Sequence, residues 1–239
     1  MKDNEKKFSL PMLDAPRTMR IRFCKKGNLQ YISHLDLQRT FTRVLVRAGL
    51  PLWYTKGFNP HIKMVFGLPL PVGTESECEF LDVRIEREMS AKEMLDRLNA
   101  ELTEELAALE VYPAERKLQE IAFAEYDFTI KTAGADEALL EKIKALLENG
   151  PLTVIRKTKS TEAEIDIRDF MARYAISLAG GVIHLNAVLE AAEGRVLSPE
   201  LVITALRTHA GILAGDPMCE SYRILRRRAF LADGVTEFR

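Results

Sequence analysis

The sequence has few of the residues that build disulfides and metal centres. Its 239 residues include three cysteines, Cys24, Cys78 and Cys219, and no two of them form a CxxC pair. This spacing argues against a disulfide framework, a zinc ribbon and a cysteine-bound iron–sulfur cluster. The four histidines form no HxH or HxxxH pair. We therefore expect neither a metal ion nor a cofactor.

Membrane spans and nucleotide-hydrolysis motifs are also missing. No run of apolar residues approaches the roughly 18 that a transmembrane helix needs, and the N-terminal segment lacks the apolar core of a secretory signal. Residues 67–73 are rich in glycine and proline, but they lack the Gly-Lys-Ser/Thr ending of a phosphate-binding P-loop. We expect a cytoplasmic protein with reduced thiols and no membrane association.

The composition is that of a folded globular chain, with 47% hydrophobic and 29% charged residues. Periodicity and turn residues predict strands and helices in a repeated order. The predicted strands are 19–23, 79–86, 125–131, 152–157, 165–178, 182–190 and 221–231, with short strands between 51 and 73 and one after 108; the predicted helices are 34–48, one from Ser90, 136–148 and 198–211.

Each half of the chain thus follows the order β-α-β-β-α-β. This order predicts an α+β fold of two tandem ferredoxin-like domains, each with its helices on one face of an antiparallel sheet. We expect residues 1–18 to be a flexible leader, residues 19–120 the first domain and residues 121–239 the second. The boundary between the domains should lie near residues 115–124.

The net charge of −1 hides two oppositely charged segments. Residues 19–67 contain nine basic residues and a single acid, Asp36, for a net charge of +8, whereas residues 68–115 contain thirteen acids and four basic residues, for a net charge of −9. Such asymmetry is typical of a surface that binds a polyanion. The alternative is that the two segments pack together and neutralise each other.

The predicted helix 34–48 carries Arg39, Arg43 and Arg47 on the face opposite its apolar residues. Three guanidinium groups spaced by one turn can follow a phosphate backbone, although the same stripe could be a solvated face. Aromatic residues lie near it in the sequence, and bases of single-stranded RNA stack on such rings. Most of these aromatics should be core residues, with one or two exposed. They are Tyr31, Trp53, Tyr54, Phe58 and Phe66.

These observations predict an RNA-binding surface in the basic half of the first domain. Its candidate residues are Lys25, Lys26, Arg39, Arg43, Arg47, Lys56, Phe58, Asn59, His61 and Lys63. Two histidines of this region, His34 and His61, could also act as base and acid on a ribose 2′-hydroxyl, the chemistry of metal-independent RNA cleavage. Each could instead make a purely structural hydrogen bond.

Three motifs of the basic half resemble a known family: YISHLD at residues 31–36, GFNPH at 57–61 and GLPLPVG at 67–73. Together they are similar to the uncharacterised radical-SAM-linked protein family, whose domain occurs alone or joined to a radical SAM domain. The resemblance implies a bacterial, cytoplasmic protein connected with RNA modification. This chain contains no CxxxCxxC, so a radical SAM enzyme would be a separate partner. The tandem layout is also analogous, at the level of fold, to CRISPR repeat-processing endoribonucleases.

We expect an accessory protein rather than an enzyme: one that binds RNA, or presents a substrate, beside a separate radical SAM enzyme. The first alternative is a metal-independent endoribonuclease that uses His34 and His61. The second is a protein–protein adaptor whose basic face docks onto an acidic partner.

Overall fold

The fold is α+β, as the sequence predicts. The computed structural model describes residues 10–157 and 162–239, and these form two compact units that meet in the sequence between Leu118 and Gln119. That point lies inside the interval 115–124 expected for the domain boundary. The described residues contain four α-helices, and all of the strand pairs within each unit are antiparallel.

Unit 1 is a four-stranded sheet with two helices. Its elements are β1 (Met12–Lys25), α1 (His34–Arg47), β2 (Met64–Phe66), β3 (Thr74–Arg87), α2 (Ala91–Asn99) and β4 (Ala108–Pro113). The pairings give the strand order β2-β3-β1-β4. Alternate residues of β1, such as Ile21 and Phe23, are buried in one hydrophobic cluster with Phe41 of α1 and Met94 of α2. Both helices therefore pack on the same face of the sheet.

The start and end of α1 follow from local chemistry. The Ser33 hydroxyl accepts a hydrogen bond from the Asp36 backbone N–H at 3.2 Å and donates one to the Asp36 carboxylate at 2.6 Å. The first of these bonds satisfies a backbone N–H at the start of the helix, so Ser33 is its N-cap. The helix ends before Gly49, whose φ of +64° suits the left-handed turn that glycine adopts without strain.

Unit 2 has the same arrangement with an added hairpin. Its elements are β5 (Phe123–Lys131), α3 (Glu137–Asn149), β6 (Thr153–Lys157), β7 (Glu162–Asp166), β8 (Met171–Ala179), β9 (Val182–Ala192), β10 (Arg195–Val196), α4 (Pro199–Ala210) and β11 (Ser221–Phe230). Four of the strands pair in the order β8-β9-β5-β11, β10 pairs with β9, and β6 with β7 forms a separate hairpin.

Two predicted elements need correction. The first strand begins at Met12 rather than at residue 19, so residues 12–18 of the expected flexible leader belong to β1, and Met12, Arg17 and Thr18 pair with β3. Residues 1–9 of that leader lie outside the described part of the chain. The predicted strand 165–178 is two strands, β7 and β8, separated by a short 3₁₀ turn at Ile167–Phe170. The Asp166 carboxylate accepts the Arg168 backbone N–H there, and this local bond starts the turn.

The described residues contain neither a membrane-spanning helix nor a cluster of metal-ligating side chains. None of the helices in residues 10–157 and 162–239 is long and apolar enough to cross a membrane. Over the same residues, no three or more histidine, cysteine, aspartate or glutamate side chains come together as metal ligands would.

Candidate nucleic-acid interface

The charged segments of unit 1 partly neutralise each other, as the alternative interpretation of the sequence predicts. Four of the nine basic residues in 19–67 form ion pairs with acids of the segment 68–115. These pairs are Arg20–Asp82 at 2.7 Å, Arg22–Glu110 at 3.1 Å, Lys26–Glu77 at 2.7 Å and Arg47–Glu101 at 2.7 Å. The positive charge available to a polyanion is therefore much smaller than the +8 of the sequence.

Lys25 has a structural position. Its side chain is buried, and Nζ lies 3.3 Å from the carbonyl oxygen of Gln30 and 3.4 Å from that of Ile32. The ammonium group thus fixes the turn that leads from β1 into α1. Lys25 is one of the residues predicted to contact nucleic acid, but its ammonium group lies inside unit 1 rather than at the surface.

The arginine stripe of α1 lies on the exposed face of the helix, as predicted, but its three members differ. Arg39 is exposed and lies 3.4 Å from the Asp36 carboxylate. Hydrogen bonding to Ser33, together with Arg39, lowers the pKa of Asp36. Arg47 is held by Glu101. Arg43 is exposed and forms no ion pair with any described residue.

The remaining predicted residues lie on a loop that projects from the edge of the sheet. We call residues 54–63 the projecting loop. On one side of it, two backbone hydrogen bonds join the chain to the end of β3. The Pro51 oxygen accepts the Glu86 N–H at 2.9 Å, and the Trp53 N–H donates to the Arg84 oxygen at 2.8 Å. On the other side, β2 pairs with the middle of β3. Both ends of the loop are therefore fixed to one strand.

The projecting loop is a tight hairpin closed by His61. Thr55 N–H donates to the His61 oxygen at 2.9 Å, and the Thr55 hydroxyl accepts the His61 N–H at 3.1 Å. His61 Nδ1 lies 3.0 Å from the same hydroxyl and 3.3 Å from the Asn59 carbonyl oxygen. Thr55 was not predicted as a site residue; the sequence signal for it is a hydroxyl placed before a turn rich in glycine, asparagine and proline.

The tip of the projecting loop is Phe58, and its ring is wholly exposed. Lys56 and Lys63 flank it, and both are exposed with no ion pair to a described residue. An exposed phenylalanine is unusual, because burial of its ring would stabilise the fold by about 1.5–3 kcal/mol. The loop therefore carries an exposed aromatic ring and, on either side of it in the sequence, two exposed lysines, whereas Lys25, Lys26 and Arg47 are engaged within unit 1.

More aromatic residues are exposed than the sequence suggests. Tyr31, Tyr54 and Phe58 are exposed, whereas Trp53 and Phe66 are half-buried. The Arg84 guanidinium lies over the Trp53 ring, 5.6 Å from its centre. Phe66 packs edge-on against Phe23 and Phe41 in the core. The prediction of one or two exposed rings is therefore too low by one.

The two histidines of the endoribonuclease alternative each have their own partners. His34, at the first residue of α1, lies edge-on to the Phe66 ring with 5.1 Å between ring centres, and its Nε2 is 3.2 Å from the Gln38 amide nitrogen. His61 is held through Nδ1 by Thr55. Among the described residues, no hydrogen bond joins the two imidazoles.

An apolar patch that the sequence did not predict lies where two of the motifs meet. The Gly73 N–H donates to the Gln30 oxygen at 2.9 Å, which joins the residue after Val72 to the residue before Tyr31. Tyr31 and Val72, together with Leu35 in the first turn of α1, are all more than half exposed. We call these three residues the apolar patch.

Comparison with known proteins identifies the family. Residues 18–199 match a bacterial family described as "Uncharacterized protein conserved in bacteria (DUF2344)". The chain belongs to this family. The match covers unit 1 from residue 18 onwards and unit 2 as far as the first residue of α4. No curated protein matches the sequence.

Solved structures resemble the chain only loosely. An unknown protein from Galdieria sulphuraria is 10% identical, with 89% of this chain and 99% of that one covered and a TM-score of 0.26. A putative glycine cleavage system transcriptional repressor is 11% identical, with the same coverages and a TM-score of 0.23. A haem-bound DypB variant from Rhodococcus jostii RHA1 is 10% identical, with coverages of 92% and 96% and a TM-score of 0.21. Scores this low assign no function.

Proposed function

We propose that this chain is an RNA-binding or substrate-presenting accessory protein, and that the projecting loop is its principal contact with RNA. The single observation that supports this proposal is the wholly exposed Phe58 ring between Lys56 and Lys63. Unpaired bases stack on aromatic rings, while cations on either side neutralise the adjacent phosphates. Asn59 and His61 stand on the same loop and supply polar groups for base edges.

The proposed contact is confined to a few residues. Arg43, and more weakly Arg39, extend the positive charge onto α1, since the other cations of the segment are engaged within unit 1. A small number of phosphate contacts suits single-stranded or looped RNA, in which one or two bases are accessible. It does not suit a duplex, which needs a broad basic face.

The proposal is tested by titrating the full chain with labelled single-stranded RNAs of varied sequence at two salt concentrations. With three cations engaged, a fourfold rise in salt should weaken binding about 20-fold. The double variant Lys56→Glu/Lys63→Glu should bind more weakly and with a smaller salt dependence.

The matched control is Lys92→Glu/Lys144→Glu, which changes the net charge by the same amount at one exposed and one partly exposed lysine, both on helices. It should retain wild-type binding and the wild-type salt dependence. Undetectable or salt-insensitive binding by the wild type would refute the RNA proposal, and equal losses in the two double variants would reduce it to a net-charge effect.

The accessory role beside a separate radical SAM enzyme rests on the resemblance of the three motifs to the radical-SAM-linked family. The observation that favours a protein partner is the apolar patch, because exposed apolar residues in one place are typical of protein interfaces. We expect that a tagged form of this chain, purified anaerobically from its native bacterium, will co-purify with a radical SAM enzyme that carries the CxxxCxxC motif. Leu35→Asp should lose that partner, whereas Lys56→Glu/Lys63→Glu should keep it if RNA does not bridge the two proteins.

We also propose that both units are ferredoxin-like domains. In each unit, the two strands that precede the second helix form one side of the sheet, and the first and last strands form the other. The resulting order is second-third-first-fourth when the β6–β7 hairpin and β10 of unit 2 are set aside. This order and the antiparallel pairing are those of a β-α-β-β-α-β domain.

A further inference from the structure

Unit 2 has a groove on the sheet face opposite its buried core. In β5 and β9, residues such as Phe128 and Leu185 point into the core, so their neighbours in the sequence point to the other face. The groove there has a volume of about 340 Å³, near the lower end of the roughly 300–1,000 Å³ that small-molecule sites have. Six side chains from three adjacent strands line this face of it: Asp127, Thr129, Ala175, Ser177, His184 and Asn186.

Strand register arranges these six side chains in two rows. In the first row, Ser177 lies opposite His184, and His184 lies opposite Thr129. The side chains of these three residues make no hydrogen bond within residues 10–157 and 162–239, although all three can donate and accept. Their hydrogen-bonding groups are therefore available to a ligand.

The second row is Ala175, Asn186 and Asp127, and it contains a preoriented carboxylate. Asn186 Nδ2 donates to Asp127 Oδ1 at 2.8 Å. Arg227 Nε lies 3.1 Å from Asp127 Oδ2 and balances its charge. Each carboxylate oxygen keeps a lone pair for a further donor. The small side chain of Ala175 leaves space above this row.

The charges of the groove decide the class of ligand. None of its lining residues is a lysine or an arginine, and the charge of Asp127 is balanced by Arg227, so the groove offers little net charge to an ionic ligand. A neutral ligand that donates through hydroxyl groups fits better, since a fixed carboxylate accepts two adjacent hydroxyl protons, as acidic residues do with ribose in dinucleotide sites. The exposed imidazole of His184 offers a flat face to a planar ring.

We propose that the groove binds a ribonucleoside unit, with the ribose 2′,3′-diol on Asp127 and the base against His184. The diol could belong to a free nucleoside or to the 3′-terminal nucleoside of an RNA. The site shares no residue with the projecting loop, because every lining residue lies in unit 2.

The test is a calorimetric or NMR titration of the full chain with adenosine, cytidine, guanosine and uridine, and with 2′-deoxyadenosine and 3′-deoxyadenosine as matched controls. At least one ribonucleoside should bind, and loss of either hydroxyl should weaken binding at least about tenfold, because a polar group of the site then lacks its partner. Equal affinity for ribo- and deoxynucleosides, or no saturation up to about 10 mM, would overturn the proposal.

The key variant is Ala175→Phe, which fills the groove without removing a hydrogen bond. Phenylalanine suits an exposed position of a strand, so the fold should persist and nucleoside binding should be lost. Asp127→Asn should also weaken binding, while Thr204→Ala on α4 is the control and should bind as the wild type does. Unchanged binding by Ala175→Phe would place any observed nucleoside elsewhere and overturn the proposal.

Two further experiments complete the test. The first identifies the molecule that supplies the diol, and the second separates this site from the RNA contact of unit 1. An oligonucleotide with a free 3′-diol should compete with the nucleoside if the terminal unit is the ligand, and the same oligonucleotide with a 3′-phosphate should not. If neither competes, the ligand is the free nucleoside. Lys56→Glu/Lys63→Glu should leave nucleoside binding unchanged, so failure of the RNA proposal would not affect this one.

Discussion

Arg20 and Asp82 lie opposite each other on β1 and β3 and are joined by two parallel hydrogen bonds, from Nε to Oδ1 at 2.7 Å and from Nη2 to Oδ2 at 2.9 Å. The arginine side chain is fully buried, and its Nη2 also donates to the Arg116 carbonyl oxygen at 2.7 Å. A residue that contributes to the basic character of the sequence is thus an internal structural group of unit 1.

Removing the partner of this buried arginine should strongly destabilise unit 1. Asp82→Ala leaves a desolvated guanidinium without its carboxylate, and loss of one partner of a buried pair costs about 3–5 kcal/mol. The free energy of unfolding from urea titration measures the effect. The control is Asp96→Ala, which breaks the exposed pair with Lys92 and should change stability little. Similar small losses in both variants would contradict a structural role for Arg20–Asp82.

Truncation of Phe58 should reduce RNA affinity without affecting stability. If a base stacks on this ring, Phe58→Ala should cost about 1–3 kcal/mol of binding energy, and by the same factor at low and high salt, because stacking releases no counterions. Met218→Ala removes a comparably exposed apolar side chain from unit 2 and serves as the control. If Phe58→Ala weakens RNA binding at low salt but not at high salt, the substitution acts through Lys56 and Lys63 rather than through loss of stacking.

The histidines of unit 1 should not cleave RNA. Each imidazole has its own local partners, Gln38 and Phe66 for His34, and Thr55 for His61. Incubation of RNA with the protein in the presence of EDTA, followed on a sequencing gel, should show no products. Metal-independent cleavage that is lost in His34→Ala and in His61→Ala, with circular dichroism unchanged, would instead establish the endoribonuclease alternative.

Tyr112 should titrate later than an ordinary tyrosine. Burial raises its pKa, an effect that the nearby Arg20 partly offsets and Glu110 reinforces. The phenolate is thus less favourable in the folded state. The associated stability is present below the ordinary pKa of about 10 and is lost as the pH rises through the higher folded value.

Absorbance at 295 nm, followed from pH 8 upwards, measures this titration among the six tyrosines. Tyr112→Phe should remove a component that titrates above about pH 10. Its stability at pH 7 should be unchanged or slightly higher, because the buried Tyr112 hydroxyl has no hydrogen-bond partner among the described residues. The control Tyr31→Phe removes a tyrosine at an exposed site; identical difference curves for the two variants would show that burial does not shift the pKa of Tyr112.

Much of the fold could be predicted because its signals are local. The N-cap at Ser33, the glycine after α1 and the spacing of Leu37 and Phe41 each act within a few residues, and they fix the helix at the predicted position. The break between β7 and β8 was missed, since an apolar alternating run continues through a turn that depends on one hydrogen bond to Asp166. The early start of β1 was missed because two prolines in residues 11–16 obscure the strand pattern.

The candidate site was predicted less completely. The glycine and proline of GFNPH indicate a rigid loop. Phe58, Asn59 and His61 do lie together on the projecting loop. Lys25 could not be separated from Lys26 by sequence, although one is buried against carbonyl oxygens and the other reaches Glu77. No sequence pattern indicated the groove of unit 2. Asp127, Ser177 and His184 come from three different strands, and in each strand they are the polar residues of an ordinary apolar–polar alternation.

The sequence by itself determined the identity and order of most elements, the capped helix α1 and the rigid loop, because periodicity, caps and turn residues act over short distances along the chain. Only the tertiary structure decided which cations remain available to a ligand. Arg20 and Asp82 are 62 positions apart, and Arg22 and Glu110 are 88 apart. Such pairs depend on strand register, in which a shift of one residue would turn each side chain to the opposite face of the sheet.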